Sequence, residues 1–387
     1  MSQDNFCVLP WMHIATNASG NLRVCCNSIP GQNYIMKNPD HPFKIYKDDL
    51  EIAWRSETYK KIRKQFLNNE RPKMCTRCFR EEDAGVRSAR QAWNDKWRED
   101  KEYTENPPME IKYIDLRLGN LCNLKCRMCN PHASNQWVRE WHLIADALSD
   151  YEYNRLKTMN WPEDARTWEN VLKMVDTIDT IYLTGGEPTI IGAQHILLDF
   201  LIQNDKAKKI KLKYNTNLTN IPRHLIDKWK EFKRIQLNAS IDAYGDLDNY
   251  IRYPSNWEKI VENFDILSKV KNVYPEIHCT VQMYNILYLH QFIEWAKPYN
   301  VKIYFNILNH PEELNIRVLP IHLKEEAEKR LQPYLNLEKV SGIIKYMWAE
   351  DWHDKYYSKF INYTKALDKS RKQNILDYVE EFKDGFS

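Results

Sequence analysis

The chain has 387 residues, enough for one large domain with a smaller companion and a sizeable buried core. Its 56 basic and 53 acidic residues leave a net charge of only +3, which excludes a global pull toward nucleic acid or acidic membranes. No basic start leads into an apolar run, and no segment approaches ~18 uninterrupted apolar residues, so the expectation is a soluble cytoplasmic protein with no membrane partner. The nine cysteines fall largely into C-x2-C and C-x3-C-x2-C spacings, which points to metal ligation in a reducing compartment rather than to disulfides.

Residues 1 to about 95 read as a small module. Cys7 is followed by Gly20 and Cys25, and much later by Cys75 and Cys78. Ala18-Ser19-Gly20-Asn21 is turn chemistry between two short apolar runs, His13 to Ala15 and Leu22 to Val24, which predicts a hairpin with a cysteine at each outer end. Four cysteines gathered from a hairpin and a C-x2-C knuckle can make a closed tetrathiolate site for zinc or for an iron–sulfur cluster, and the spacing alone does not choose. Cys26 is either a packed thiol or an exchanged ligand. Arg80 to Asp100 reads as a charged helix with Ala84, Val86, Ala89 and Trp93 inward, a linker that reaches about residue 108.

From about 109 to 309 strand-like runs alternate with helical ones, the pattern of a parallel α/β domain. Strands are expected near Ile111–Leu118, Thr177–Leu183, Ile210–Asn215, Ile235–Ile241, Ile277–Met283 and Val301–Leu308. Helices are expected near Ala133–Leu148, Gln194–Gln203, Arg223–Phe232, Trp257–Val270 and Leu289–Tyr299. Six βα units predict an open, partial (β/α)6 barrel of the TIM kind, whose functional residues lie at the C-terminal strand ends.

The loop after the first of these strands carries Cys122, Cys126 and Cys129. Three thiolates from one short loop can hold three irons of a [4Fe-4S] cluster and leave the fourth open. The same positions share a stripe of a helix, but Asn120, Asn123, Lys125 and Arg127 crowd a stretch where a core helix needs apolar neighbours. The second strand ends in Thr184-Gly185-Gly186-Glu187-Pro188, where glycines admit a close ligand and a carboxylate can accept from an ammonium group. Strand parity sends Asp115, Arg117, Lys211, Lys213, Asn215, Gln236, Asn238, Ser240, Asp242, His278, Thr280, Gln282, Lys302, Tyr304 and Asn306 toward the lumen, and Cys279 outward against a helix. A lumen this polar predicts a polar substrate, and His278 and Tyr304 are its candidate catalytic residues for proton or hydrogen traffic.

Residues 310–387 read as a helical extension. Ile321 to Leu335 is amphipathic, and Trp348, Trp352, Tyr356 and Phe360 recur every four residues, a stripe expected to be core packing.

The C-x3-C-x2-C loop resembles that of the radical S-adenosylmethionine superfamily. The resemblance implies a [4Fe-4S] cluster on Cys122, Cys126 and Cys129 that binds S-adenosylmethionine at its open iron, and a 5'-deoxyadenosyl radical that takes hydrogen from a substrate. It also implies an electron donor such as flavodoxin or ferredoxin. Gly185, Gly186, Glu187 and Pro188 match the family motif for the methionyl amino group. Asn215, Ser240, Asp242 and Arg252 match the strand ends that meet the ribose and methionyl carboxylate. The C-x12-G-x4-C spacing, with Pro10-Trp11 and Trp54-Arg55-Ser56, is similar to SPASM and twitch modules. That likeness implies a second, auxiliary [4Fe-4S] cluster on Cys7, Cys25, Cys75 and Cys78, in a module that here precedes the barrel instead of following it. The expected activity is hydrogen abstraction from a polar peptide, protein side chain or metabolite. The alternatives are a zinc-stabilised binding protein and a radical enzyme acting on RNA, the latter opposed by the near-neutral charge.

Overall fold

Alternating burial along the strands sets the architecture. The computed structural model describes residues 4–29, 33–83, 87–337 and 339–386, folded as two compact units. The first comprises Met1–Leu121, Met159–Tyr214 and Arg223–Ile235, and the second Cys122–Thr158, Asn215–Pro222 and Gln236–Ser387.

In the first unit, β1 (His13–Thr16) and β2 (Leu22–Arg23) form the expected antiparallel hairpin, with Ala15 opposite Arg23 and Thr16 opposite Leu22. Gly20 closes its turn at φ +75°, a conformation L side chains rarely adopt. A smaller pair, β3 (Met36–Asn38) and β4 (His41–Pro42), lies beyond it. The hairpin is built into the main sheet of this unit: β1 runs parallel to β5 (Tyr113–Arg117), which is followed in turn by β6 (Thr180–Thr184) and β7 (Lys211–Thr216), giving the order β2-β1-β5-β6-β7. Ile114, Leu116, Ile181, Leu183, Leu212 and Tyr214 fill one face completely, while Asp115, Tyr182 and Lys213 stand side by side on the other. The period-2 pattern of the sequence therefore translates directly into an apolar and a polar face.

In the second unit β8 (Arg234–Ser240), β9 (Val273–Val281) and β10 (Ile303–Ile307) lie in that order, and β9 and β10 are parallel with Ile277 opposite Ile303. Ile235, Leu237, Ala239 and Ile241 are buried, as are Ile277, Cys279, Val281 and Met283, as parity predicts. All six expected strands are present. Helices Gln194–Gln203, Arg223–Trp229, Trp257–Ser268 and Leu289–Ala296 fall where they were expected, and Ala165–Leu172 and Asp246–Ile251 are additional.

Three expectations fail. Residues 133–148 form two short 3₁₀ turns, Asn135–Arg139 and Trp141–Leu143, rather than one helix. Tertiary bonds override helical propensity there: Asn135 accepts from the Cys122 amide, Ser134 donates to the Leu124 carbonyl, and Glu140 is drawn to Lys125 and Arg371. The charged helix of residues 80–100 is two helices, Thr76–Asp83 and Ala89–Trp97, whose buried link is the Glu82–Arg90 ion pair; Ala84 and Val86 lie outside the described residues, and Ala89 and Trp93 are only half-buried. The four-residue aromatic stripe is not the core stripe. A break between Val340–Ala349 and His353–Arg371 leaves Trp348 exposed, and only Phe360 of the four is buried, alongside Tyr363, Leu367 and Asp368. Among the described residues no helix is long and apolar enough to cross a membrane.

Candidate functional site

The cysteine loop, in the second unit, is laced down before any ligand is considered. The Lys125 and Arg127 amides donate to the Tyr253 and Ile251 carbonyls, at 2.7 and 2.8 Å, so the loop runs along the segment that carries Arg252. Trp137 Nε1 donates to the Cys126 carbonyl (3.0 Å), and the Leu124 amide donates to Cys122 Sγ (3.4 Å). Arg127 is wholly buried; its side chain donates to the Tyr250 carbonyl and pairs with Asp368, while its guanidinium lies 3.6 Å from the Tyr250 ring centre. The Cys126 thiol lies within electrostatic reach of both Cys122 and Cys129, and burial pushes the thiols of Cys126 and Cys129 above the ordinary thiol range. Iron would reverse that penalty by taking the thiolates as ligands.

Arg252 sits beside Cys126 and Cys129 and is a buried group, 8% exposed. Its Nη2 lies 2.9 Å from Asp242 Oδ2, and its Nε is 4.0 Å from Asp248 Oδ1. Burial alone would lower its pKa, but Asp242, Cys126 and Asp248 outweigh burial and hold the guanidinium protonated. Burial raises Asp242 and pushes Asp248 up to about 7, partly offset in each case by Arg252. Asp242 also accepts from the Thr280 amide and Asp248 from the Asp242 amide, which fixes both carboxylates. Three buried atoms here, Asp242 Oδ2, Asp248 Oδ2 and Arg252 Nε, have no aligned hydrogen bond. A charged ligand would supply those bonds.

Ser240 is half-buried at the end of β8, and Asn215 is exposed and accepts from Asn238 at 2.6 Å. Asn123 joins this end of the unit through Asn217 and Thr219 (2.9 and 2.7 Å). His278 and Tyr304 are register partners whose rings stack at 4.6 Å, with the Lys302 ammonium 4.6 Å from the Tyr304 ring centre. Cys279 is fully buried and its thiol donates to the Asp242 carbonyl, so it packs as expected.

In the first unit, the Gly185-Gly186 turn owes its glycines to backbone packing. A Cβ on Gly186 would lie 2.0 Å from the Leu121 carbonyl oxygen, and one on Gly185 2.8 Å from Gly119 O and Leu118 N, with both residues at positive φ. The Glu187 amide donates to that same Leu121 carbonyl, immediately before Cys122 in sequence. The Glu187 carboxylate is 1% exposed and accepts from the amide and hydroxyl of Thr189, capping the turn that begins at Pro188.

Cys7, Cys25, Cys75 and Cys78 also lie within mutual electrostatic reach, all raised by burial, Cys78 to about 11. Their segments are tied together. Ile29 N donates to Met74 O (2.9 Å), Asn94 brackets Cys7 through Val8 N and Phe6 O, and Arg90 reaches from Glu82 to the Phe6 carbonyl. Cys26, half-buried, donates its thiol to Asn27 Oδ1 and lies within electrostatic reach of both Asp115 and Cys25. Among the described residues no three His, Cys, Asp or Glu side chains are close enough to share a single metal ion. The ligands of a four-iron cluster bind separate irons and need not be.

Sequence reasoning missed Asp248, whose signal was its i, i+4 spacing to Arg252, and Glu140, Asp368 and Arg371, which had none.

The profile of the radical SAM superfamily matches residues 116–290, and that of the SPASM iron–sulfur cluster-binding domain matches residues 7–79. No curated protein is significantly similar in sequence. Similar solved structures include native anSMEcpe with bound AdoMet (18% identity, 58% of this chain, 61% of that one, TM-score 0.42) and the same protein with AdoMet and the Cp18Cys peptide (19%, 49%, 49%, 0.35). SuiB of Streptococcus suis bound to the precursor peptide SuiA is 12% identical over 75% of this chain and 63% of that one, at a TM-score of 0.39. The chain thus spans 49 to 61% of the length of the two anSMEcpe structures. The chain thus carries a SPASM domain ahead of a radical SAM domain, and these two domains imply iron–sulfur clusters and S-adenosylmethionine as cofactors.

Proposed function

We propose that the protein reductively cleaves S-adenosylmethionine and uses the resulting radical to take hydrogen from a polar substrate, most naturally a peptide or protein side chain. The observation that carries this reading is the gathering of three cysteines in one loop, Cys122 buried and Cys126 and Cys129 half-buried, with the buried Arg252 beside them. Cys122, Cys126 and Cys129 would hold the catalytic cluster, and Cys7, Cys25, Cys75 and Cys78 the auxiliary one. When bound, the first cluster supplies the electron that splits the cofactor into methionine and a 5'-deoxyadenosyl radical. Arg252, fixed by Asp242 and Asp248, would orient a carboxylate such as that of the methionyl group. Ser240 and Asn215 offer hydroxyl and amide groups to the ribose, and the Gly185 to Pro188 turn offers backbone groups and Glu187 to the amino group. His278 and Tyr304 would handle protons or hydrogen near the substrate. The electron donor is a flavodoxin or ferredoxin by this reading.

Anaerobic reconstitution with iron and sulfide, followed by reduction with dithionite, tests the reading. A brown protein that forms 5'-deoxyadenosine is expected, with Cys126→Ala abolishing the product and Cys7→Ala or Cys75→Ala leaving some uncoupled turnover. A colourless zinc protein, or 5'-deoxyadenosine from the Cys126→Ala variant, overturns it.

A further inference from the structure

The polar face of the first unit holds a charge arrangement that its own residues leave incomplete. Register aligns Arg23, Ala15, Asp115, Tyr182 and Lys213 across five neighbouring strands, and the next row along β5 and β6 places Arg117 beside Thr184. The guanidiniums of Arg23 and Arg117 act on one another and on the single carboxylate of Asp115. Ala15, between Arg23 and Asp115, contributes only a methyl group, and all three residues are buried.

Hydrogen bonding within the face is also incomplete. Arg23 Nη2 donates to the Cys26 and Ser28 carbonyls, but its Nε is buried with no partner. Asp115 lies beside the Cys26 thiol, and its Oδ1 is buried without a partner in a residue only 2% exposed. Thr184 Oγ1 is buried and unpartnered as well. Arg117 is exposed, and among the described residues it forms no ion pair closer than 4.0 Å. Two guanidiniums held near one carboxylate are mutually repulsive, and a buried donor without an acceptor costs free energy; one added anion relieves both.

We propose that this face binds a carboxylate group of the substrate between Arg117 and Arg23, with Thr184 as a further donor and Asp115 free to accept an N–H from the same molecule. The inference rests on the radical SAM reading for the existence of a substrate, and it narrows the class to carboxylate-bearing molecules with a nearby N–H, as in a peptide with an acidic side chain or a free C-terminus. Arg117 and Arg23 would be positioning residues, not catalytic ones.

The test uses the full chain, anaerobically reconstituted with its clusters and S-adenosylmethionine. Phenylglyoxal modifies accessible arginines, and peptide mapping reads the rate at Arg117. Four probes separate the sources of the carboxylate: N-acetylglutamate, its α-amide, N-acetylglutamine, and N-acetylglutamine α-amide. The carboxylate-bearing probes are expected to slow modification of Arg117 roughly tenfold at saturation, and the neutral diamide not at all. Protection by the α-amide of N-acetylglutamate assigns a side-chain carboxylate, and protection by N-acetylglutamine a chain terminus. In Arg117→Gln, with iron content and Tm as in the parent, the rise in Tm caused by the protecting probe is expected to vanish. Equal protection by the diamide, no protection by any probe, or a Tm rise that survives Arg117→Gln overturns the inference. If the parent forms 5'-deoxyadenosine under dithionite while these results are negative, only the carboxylate site is lost; if it forms none, the underlying reading fails independently.

Discussion

Arg127 and Asp368, 241 residues apart in sequence, form a buried ion pair at 2.5 Å that ties the cysteine loop to the helix His353–Arg371. The same loop is held by Tyr363, whose hydroxyl donates to the Arg127 carbonyl. Removing one partner of such a pair leaves an uncompensated charge, which costs about 3–5 kcal/mol. Arg127→Met is therefore expected to destabilise the protein by about that much in chemical unfolding, and Asp368→Asn by less, since the amide oxygen still accepts. Both should lower the iron bound at the catalytic cluster and spare the auxiliary one, a split that EPR of the reduced protein would resolve. Unchanged iron at the catalytic cluster in Arg127→Met would show that this pair does not support the loop.

Gly186 is expected to tolerate no side chain. A Cβ there meets the Leu121 carbonyl oxygen at 2.0 Å, and the positive φ alone costs about 1–2 kcal/mol for an L residue. Gly186→Ala should lose more than that in thermal unfolding and weaken S-adenosylmethionine binding through displacement of the residue before Cys122. Gly192→Ala is the control: nothing lies within 4 Å of its Cβ, and its effect should stay within about 0.5 kcal/mol. Equal stability of the two variants would exclude the packing explanation.

The parts of this fold legible in sequence were those set by local periodicity or by tight spacing. The burial of Ile235, Leu237, Ala239 and Ile241 follows from alternation, the β1–β2 hairpin from its turn residues, and the grouping of Cys122, Cys126 and Cys129 from two short intervals. What stayed illegible depends on partners distant in the chain. Glu140 sits in a stretch with helical periodicity, yet Lys125 and Arg371 hold it at the junction of two 3₁₀ turns. Asp368 looks like one of many charges on a helix until Arg127 is placed against it. The parallel pairing of β1 with β5 spans about a hundred residues, and no local signal announces it.

Cys25 and Cys26 are chain neighbours with different surroundings, which separates their roles experimentally. Cys25 lies with Cys7, Cys75 and Cys78, whereas the Cys26 thiol meets Asp115. Cys25→Ser is expected to lose the auxiliary cluster, about four irons per chain, and Cys26→Ser to keep it, because the four ligands Cys7, Cys25, Cys75 and Cys78 remain. Iron and sulfide analysis of the two reconstituted variants decides this. Loss of the cluster in Cys26→Ser alone would exchange the assignment.

His13 gives the fold a defined acid sensitivity. The ring is fully buried, Nδ1 is 2.9 Å from the Tyr113 carbonyl, and it stacks on the Tyr113 ring at 4.5 Å. Burial, reinforced by Arg23, depresses its pKa to about 4 from 6.5. The unfolded chain therefore binds a proton between pH 6.5 and 4 that the folded chain refuses, so stability is full above 6.5 and falls as the pH drops toward 4. By pH 5 the loss is about 2 kcal/mol from this residue. Asn at this position can keep the donor to the Tyr113 carbonyl but cannot titrate, so His13→Asn is expected to flatten the dependence of unfolding free energy on pH between 7.5 and 5 by about that amount. A pH profile identical to the parent's would mean that the imidazole is already charged in the folded protein or that other groups set the slope.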